Sequence, residues 1–256
     1  MKRAVSFLIV LTLPLPHVLY AESAESYESR SDFAEKWLFE TLPQHLAHDV
    51  KETFWNPWHL TGLAAGAGAT LGIHAADDEI QQKFHPSDPM GGAKDVFNIM
   101  GNGLLLGGAV LTGTIVSKLI DAPKATRTAG TMLESLGVTY TLTYALKFSV
   151  QRQRPDGSNS LSFPSGHASG TFALATITEV FYGPLFGVPA YALAGTIALA
   201  RIDSNKHFAS DTMAGAVLGS LVGLGTAKFH KAEKTDLFVV PTMLESGTGI
   251  SLVKVF

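Results

Sequence analysis

Basic, imidazole and carboxylate side chains gather in one stretch of this sequence, from Lys147 to Asp211. Three short groups carry them: Lys147 with Arg154-Pro155, then Pro164-Ser165-Gly166-His167, then Arg201, His207 and Asp211. Fixed cations stabilise the negative charge that builds up on the oxygens of a reacting oxyanion. The set therefore predicts a site that binds a small oxyanion such as phosphate and attacks it.

The basic residues and one turn of backbone are the predicted phosphate-binding groups. Arg154 and Arg201 can each hold two oxygens through a planar guanidinium, whereas Lys147 supplies a point charge. The backbone amides from Ser165 to His167 stand at the expected start of a helix, where they add donors and a favourable dipole. Gly166 lets the backbone approach the anion closely.

Two histidines remain for making and breaking bonds. His207 and Asp211 are four residues apart, so in a helical turn the carboxylate can keep one ring nitrogen protonated. The other ring nitrogen of His207 is then free to act as the nucleophile. His167, at the head of a different helix, is left to protonate the leaving group and later to activate water.

Six apolar segments are predicted to form the helices that position these residues: Trp58–Ala76, Val96–Lys118, Thr128–Val150, Gly166–Tyr182, Pro184–Ala200 and Asp211–Lys228. Many of their residues are small, as in 63–69, and small residues let helices approach closely. If the helices alternate in direction, the last four bring all three groups to one end of the bundle. The predicted fold class is therefore all-α.

The two ends of the chain differ from this bundle. Residues 1–21 have the basic start, apolar run and small final residue of a secretory signal peptide. Residues 22–57 are predicted to be a polar linker followed by amphipathic helices, and residues 58–230 the helical domain. In the tail, residues 231–256, two short runs around a glycine-rich turn predict a β-hairpin.

Composition excludes some classes of partner. The net charge is −3 and no run of Lys and Arg is present, which argues against a nucleic-acid ligand. With no cysteine, the chain can form neither a disulfide nor a thiolate metal site. His74, Asp77, Asp78 and His85 lack the tight spacing of metal ligands, so this segment is predicted to be a polar loop.

The order and spacing of the three groups resemble the signature of the superfamily of type 2 phosphatidic acid phosphatases and vanadium haloperoxidases. Six residues separate Lys147 from Arg154-Pro155, five separate Arg201 from His207, and three separate His207 from Asp211. The resemblance covers roughly Thr139 to Gly225. It implies a phosphohistidine intermediate on His207, an acid and base at His167, and no metal or other cofactor for a phosphatase.

One position departs from the family pattern. The family usually has serine before the arginine of the third group, where this chain has Ala200. A serine there could donate one more hydrogen bond to phosphate, worth about 1 kcal/mol. The departure is expected to weaken turnover without abolishing it.

Several functions fit the resemblance. The first is hydrolysis of lipid phosphates, such as phosphatidate or an isoprenoid pyrophosphate, or of small soluble esters in the periplasm. The second is a haloperoxidase, which would bind vanadate as its cofactor, and the third is an inactive scaffold of the cell envelope. A periplasmic domain that rests on a membrane surface is favoured over a multipass membrane protein, and the sequence leaves the oligomeric state open.

Overall fold

The computed structural model describes residues 57–232, 236–244 and 247–255, as eight helices and one hairpin. In chain order they are α1 (Pro57–His74), α2 (Asp77–Ser87), α3 (Ala93–Met100), α4 (Gly103–Leu119), α5 (Pro123–Val150), α6 (Gly166–Tyr182), α7 (Pro184–Asp203), α8 (Ala209–Ala232), β1 (Asp236–Leu244) and β2 (Gly247–Val255). The predicted all-α class is confirmed. The predicted signal peptide and N-terminal amphipathic helices lie outside the described residues.

The prediction of one straight helix from Val96 to Lys118 is wrong. The chain bends by 60° between α3 and α4. Asn102 causes the break, because its side-chain oxygen accepts hydrogen bonds from the amides of Leu104 and Leu105 and so begins a new helix. The bend turns α3 back towards the ends of α6 and α7.

The prediction of a polar loop after His74 is also wrong, because residues 77–87 form α2. Its first turn carries three acidic residues, which the positive end of the helix dipole stabilises. Glu79 and Lys83, four residues apart, form an ion pair on its exposed side. The acidic first turn and the pair four residues apart are both local features of the sequence that favour a helix. The prediction of a loop gave more weight to the polarity of the segment.

Close contact between α6 and α8 forms the centre of the bundle. Gly215, Gly219 and Gly223 recur every fourth residue along α8 and face α6. A Cβ atom built on Gly215 would lie 2.5 Å from the carbonyl oxygen of Ser165, and one on Gly223 2.6 Å from that of Ala173. The expectation that small residues allow close helix packing is confirmed at this pair.

The outer helices carry many exposed apolar side chains. They occur on α3, α4, the last turns of α5, and α7, and include Val96, Ile99, Leu104, Leu105, Leu119, Phe148, Leu185 and Phe186. By length and composition, Pro184–Asp203 and Ala209–Lys231 could each cross a membrane, and the bent pair α3 and α4 could form a third crossing. The apolar surface of the described helices therefore fits a membrane.

The C-terminal strands pair in an antiparallel hairpin, with Val240 opposite Ser251 and Leu244 opposite Gly247. The predicted β-hairpin is thus present in the backbone.

Candidate active site

Four helix ends meet at one end of the bundle. Helix α5 ends at Val150, α6 begins at Gly166, α7 ends at Asp203 and α8 begins at Ala209. They surround a cavity of about 470 Å³. Six of the eight predicted site residues line it: Lys147, Arg154, Gly166, His167, Arg201 and His207. Ser165 and Asp211 lie behind this lining.

His207 is held in the turn between α7 and α8. The amides of Lys206 and His207 both donate to the carbonyl of Arg201, at 3.1 and 3.2 Å. The side chain is only 2% exposed. Burial lowers the pKa of His207 to about 3, although Asp211 acts in the opposite direction. The ring is therefore neutral at pH 7, the state that a nucleophile needs.

The contact between His207 and Asp211 is looser than predicted. Nδ1 of His207 lies 3.7 Å from Oδ2 of Asp211, beyond hydrogen-bonding distance, and has no other partner among the described residues. The carboxylate oxygens are occupied by other donors. Oδ2 accepts from the hydroxyl of Ser162 at 2.5 Å and from the amide of Phe208 at 2.9 Å.

The other carboxylate oxygen of Asp211 is bound by Arg152, a residue that was not predicted for the site from the sequence. Its guanidinium donates at 2.8 Å to Oδ1 of Asp211 and at 2.8 Å to Oδ2 of Asp77 at the start of α2. Asp77 is buried and also accepts from the amide of Ser210 at 2.9 Å. Hydrogen bonds from Ser210 and Arg152 lower the pKa of Asp77, against the opposing effect of burial. A buried charge network therefore fixes the carboxylate behind His207.

Lys147 has a structural role that was not predicted. Its ammonium group donates to the carbonyls of Leu161 and Pro164, both at 2.6 Å. These bonds pin the loop that leads into α6. Lys147 also lines the cavity, so its role as a point charge for an anion stays a prediction.

Ser165 also organises the loop, and it does not line the cavity. Its hydroxyl caps α6 by accepting from the amide of Ala168 at 3.5 Å, and its own amide donates to the carbonyl of Asp211 at 2.9 Å. The prediction that three successive amides face the anion therefore fails for Ser165. The first turn of α6 leaves the amides of Gly166 and His167 for that purpose.

Arg154 and Arg201 line the cavity, and the guanidinium group of each donates a hydrogen bond to an asparagine side chain. Nε of Arg154 donates to the side-chain oxygen of Asn159 at 2.9 Å. Arg201 donates through one terminal nitrogen to the side-chain oxygen of Asn98 at 2.8 Å. Its buried Nε has no partner among the described residues. The guanidinium groups are thus oriented while retaining donors for an anion.

Nε2 of His167 lies 3.0 Å from the carbonyl oxygen of Asn98. A carbonyl only accepts, so this contact places a hydrogen on Nε2 and leaves the lone pair on Nδ1. Burial, followed by the charge of Arg201, lowers the pKa of His167 to about 4. The neutral ring can therefore serve as a base through Nδ1.

Residues 128–234 match the sequence profile of the PAP2 superfamily. This range contains all three groups of the signature and every residue predicted for the site. The similarity to the PAP2 superfamily thus lies in the part of the chain that holds the predicted site. The resemblance noted in the sequence is confirmed.

Two curated proteins are similar to part of this chain. Lipid A 1-phosphatase of Porphyromonas gingivalis is 44% identical over 80 residues, which are 30% of this chain and 18% of that protein. Decaprenylphosphoryl-5-phosphoribose phosphatase of Mycobacterium tuberculosis is 35% identical over 96 residues, which are 34% of this chain and 52% of that protein. The match thus spans about half or less of each relative.

A solved PAP2 structure resembles the chain more broadly. The transmembrane PAP2-type phosphatidylglycerolphosphate phosphatase of Bacillus subtilis is 20% identical, with a TM-score of 0.49. The superposition covers 68% of this chain and 95% of that one.

Ala200 is the position at which the chain departs from the family signature. Ala200 is fully buried and is not among the residues that line the cavity. The expected weakening of turnover remains a prediction.

The charged residues that line the cavity are Lys147, Arg154 and Arg201. Within the described residues, no group of three or more His, Asp or Glu side chains could hold a metal ion. The carboxylate nearest to the histidines, Asp211, is already bonded to Ser162 and Arg152.

Proposed function

We propose that this protein is a phosphatase that hydrolyses phosphate monoesters or pyrophosphates of lipids. The observation that carries the proposal is the cavity itself, in which two neutral imidazoles face three fixed cations. Cations hold the transferring phosphoryl group, one imidazole can attack it, and the other can exchange a proton with the leaving group.

The first step forms a bond between His207 and phosphorus. Asp211 stands on the Nδ1 side of the ring, which leaves Nε2 for the attack. The bond between phosphorus and the leaving oxygen breaks, and a proton on Nδ1 of His167 passes to that oxygen. The negative charge of a bound phosphate favours this proton on His167, because an opposite charge nearby raises the pKa.

The second step releases phosphate. His167, now neutral, accepts a proton from a water molecule as the water attacks the phosphohistidine. The bond between phosphorus and Nε2 of His207 breaks, and its electron pair returns to the ring. Arg154 and Arg201 balance the charge on the phosphoryl oxygens in both steps.

Lipid substrates and a location at a membrane of the cell envelope are supported by two observations. The curated relatives are named lipid A 1-phosphatase and decaprenylphosphoryl-5-phosphoribose phosphatase. The cavity also borders exposed apolar side chains, with Leu104 89% exposed and Tyr144 51% exposed on its rim. A substrate with its phosphate in the cavity could keep its acyl or isoprenoid chain along this rim. Signal cleavage and a periplasmic location remain predictions.

Phosphate release by the purified protein tests the proposal. The substrates are p-nitrophenyl phosphate, phosphatidate and an isoprenoid pyrophosphate in detergent micelles, each with excess chelator. We expect release from the lipids to persist in chelator and to be inhibited by vanadate, which would occupy the same cavity. No release from any substrate would overturn the proposal, as would activity that requires an added metal. Halide oxidation only after vanadate is added would indicate a haloperoxidase instead.

A further inference from the structure

One residue outside the three signature groups contacts two of them. Asn98, on α3, accepts a hydrogen bond from Arg201 through its side-chain oxygen, at 2.8 Å. Its backbone carbonyl lies 3.0 Å from Nε2 of His167. Its side-chain nitrogen donates to the hydroxyl of Ser204 at 2.7 Å, which fixes the orientation of the amide. A cation and an imidazole that line the cavity therefore share one support.

Further contacts hold α3 in this place. Lys94, one turn before Asn98, pairs with Asp88 and lies 3.9 Å from a carboxylate oxygen of Asp203 at the end of α7. At the other end of α3, a Cβ on Gly101 would lie 2.7 Å from the ring of His167. The helix thus sits directly on the acid–base residue.

The chemical type of the Asn98 side chain matters for Arg201. An amide oxygen orients a guanidinium without neutralising it, so the full charge of Arg201 remains for an anion in the cavity. A carboxylate at the same position would pair with Arg201 and compete with the anion for it. Nε of Arg201 has no partner among the described residues, so it can still donate to an anion.

We propose that Asn98 is a positioning residue for the phosphate site, acting on Arg201 through its side chain and on His167 through its backbone carbonyl. The inference rests on the proposed function, because it assigns the anion that Arg201 binds. The neutral amide keeps Arg201 oriented and fully charged, and the carbonyl keeps the hydrogen of His167 on Nε2, away from the substrate.

The test compares phosphate binding by wild-type protein and by Asn98→Asp, measured by calorimetry with inorganic phosphate at pH 7. Asparagine and aspartate have nearly the same shape, so a residue that only packs α3 would tolerate the change. We expect the dissociation constant for phosphate to rise about tenfold or more, because the new charge lies against the cation that binds the anion. Asn98→Ala, which adds no charge, should weaken phosphate binding less and lower kcat.

Asn205→Asp is the charge-matched control. Asn205 lies in the turn after α7, accepts a hydrogen bond from Gln81 and does not line the cavity. Asn205→Asp changes the net charge by the same amount as Asn98→Asp, and it should leave the dissociation constant for phosphate unchanged. Equal binding by wild type, Asn98→Asp and Asn98→Ala would overturn the role of Asn98 and leave the proposed function intact. Wild-type protein that neither binds nor releases phosphate would overturn both.

Discussion

The two histidines of the site stand in contrasting parts of the molecule. His207 is almost fully buried in the turn before α8, the helix that packs closely against α6, and beside a charge network that reaches α2. His167 is partly buried and touches α3, whose outer side exposes Val96 and Ile99. The proposed nucleophile is thus fixed by the interior of the bundle. The proposed acid and base depends on a short helix at the apolar surface, on the side where a lipid would arrive.

Replacing each histidine in turn should distinguish the two regions most clearly, because it gives the largest expected effects. His207→Asn should lower phosphate release by about 10³-fold or more from every substrate, because the proposed covalent intermediate could not form. His167→Asn should lower it most for alkyl and lipid esters and far less for p-nitrophenyl phosphate, whose leaving group needs no proton. Initial rates on both substrate types give the measurement.

A buried histidine far from the site provides the control for these variants. His230, near the end of α8, pairs with Glu134 at 2.7 Å at the opposite end of the bundle. His230→Asn should lower the unfolding temperature while the rate per folded molecule stays the same. Wild-type turnover by His207→Asn, or the same loss on both substrate types for His167→Asn, would contradict the assigned roles.

The charge network behind His207 should produce the next largest effect. Arg152→Gln removes the shared partner of Asp77 and Asp211, and breaking a buried pair from one side costs about 3–5 kcal/mol of stability. We expect kcat to fall about 10–100-fold with little change in KM, because a charged hydrogen bond that orients the reacting groups is worth about 1.5–3 kcal/mol. Thermal unfolding measures the loss of stability, and steady-state kinetics measure kcat and KM.

Lys83→Gln is a suitable control for Arg152→Gln, because both side chains of its ion pair with Glu79 are exposed. Exposed pairs contribute about 0–1 kcal/mol, so both stability and rate should hardly move. If Arg152→Gln were as mild, Asp211 would be held by Ser162 and Phe208 alone. The buried network would then have no part in positioning His207.

The sequence predicted the residues of the cavity better than the residues that support them. Lys147, His167 and His207 meet because alternating helices return the chain to the same end of the bundle, and this follows from segment order alone. Their catalytic roles stay predictions. Within the signature, only the hydrogen bonds of the structure show that Lys147 and Ser165 organise the loop before α6.

The supporting contacts lie between residues far apart in the chain. Arg152 and Asp77 are 75 positions apart, and Asn98 and Arg201 are 103 apart. No local pattern links such pairs, because each depends on how α2 and α3 pack against the ends of α7 and α8. The bend after α3 was missed for a different reason: its signal is local, but Asn102 caps the new helix from within a continuous apolar run that is typical of one helix.

The smallest predicted effect concerns the close packing that fixes the interior side. Gly219→Ala would place a methyl group against the carbonyl of Ser169 on α6, and such overpacking costs about 1–3 kcal/mol of stability. Gly113→Ala on α4 is the matched change, because a Cβ there meets nothing within 4 Å. It should raise stability by up to about 1 kcal/mol, since alanine favours the helix over glycine. Unfolding midpoints of the two variants measure the difference. Equal shifts would mean that α6 and α8 can move apart at little cost, and that His207 is not fixed by their contact.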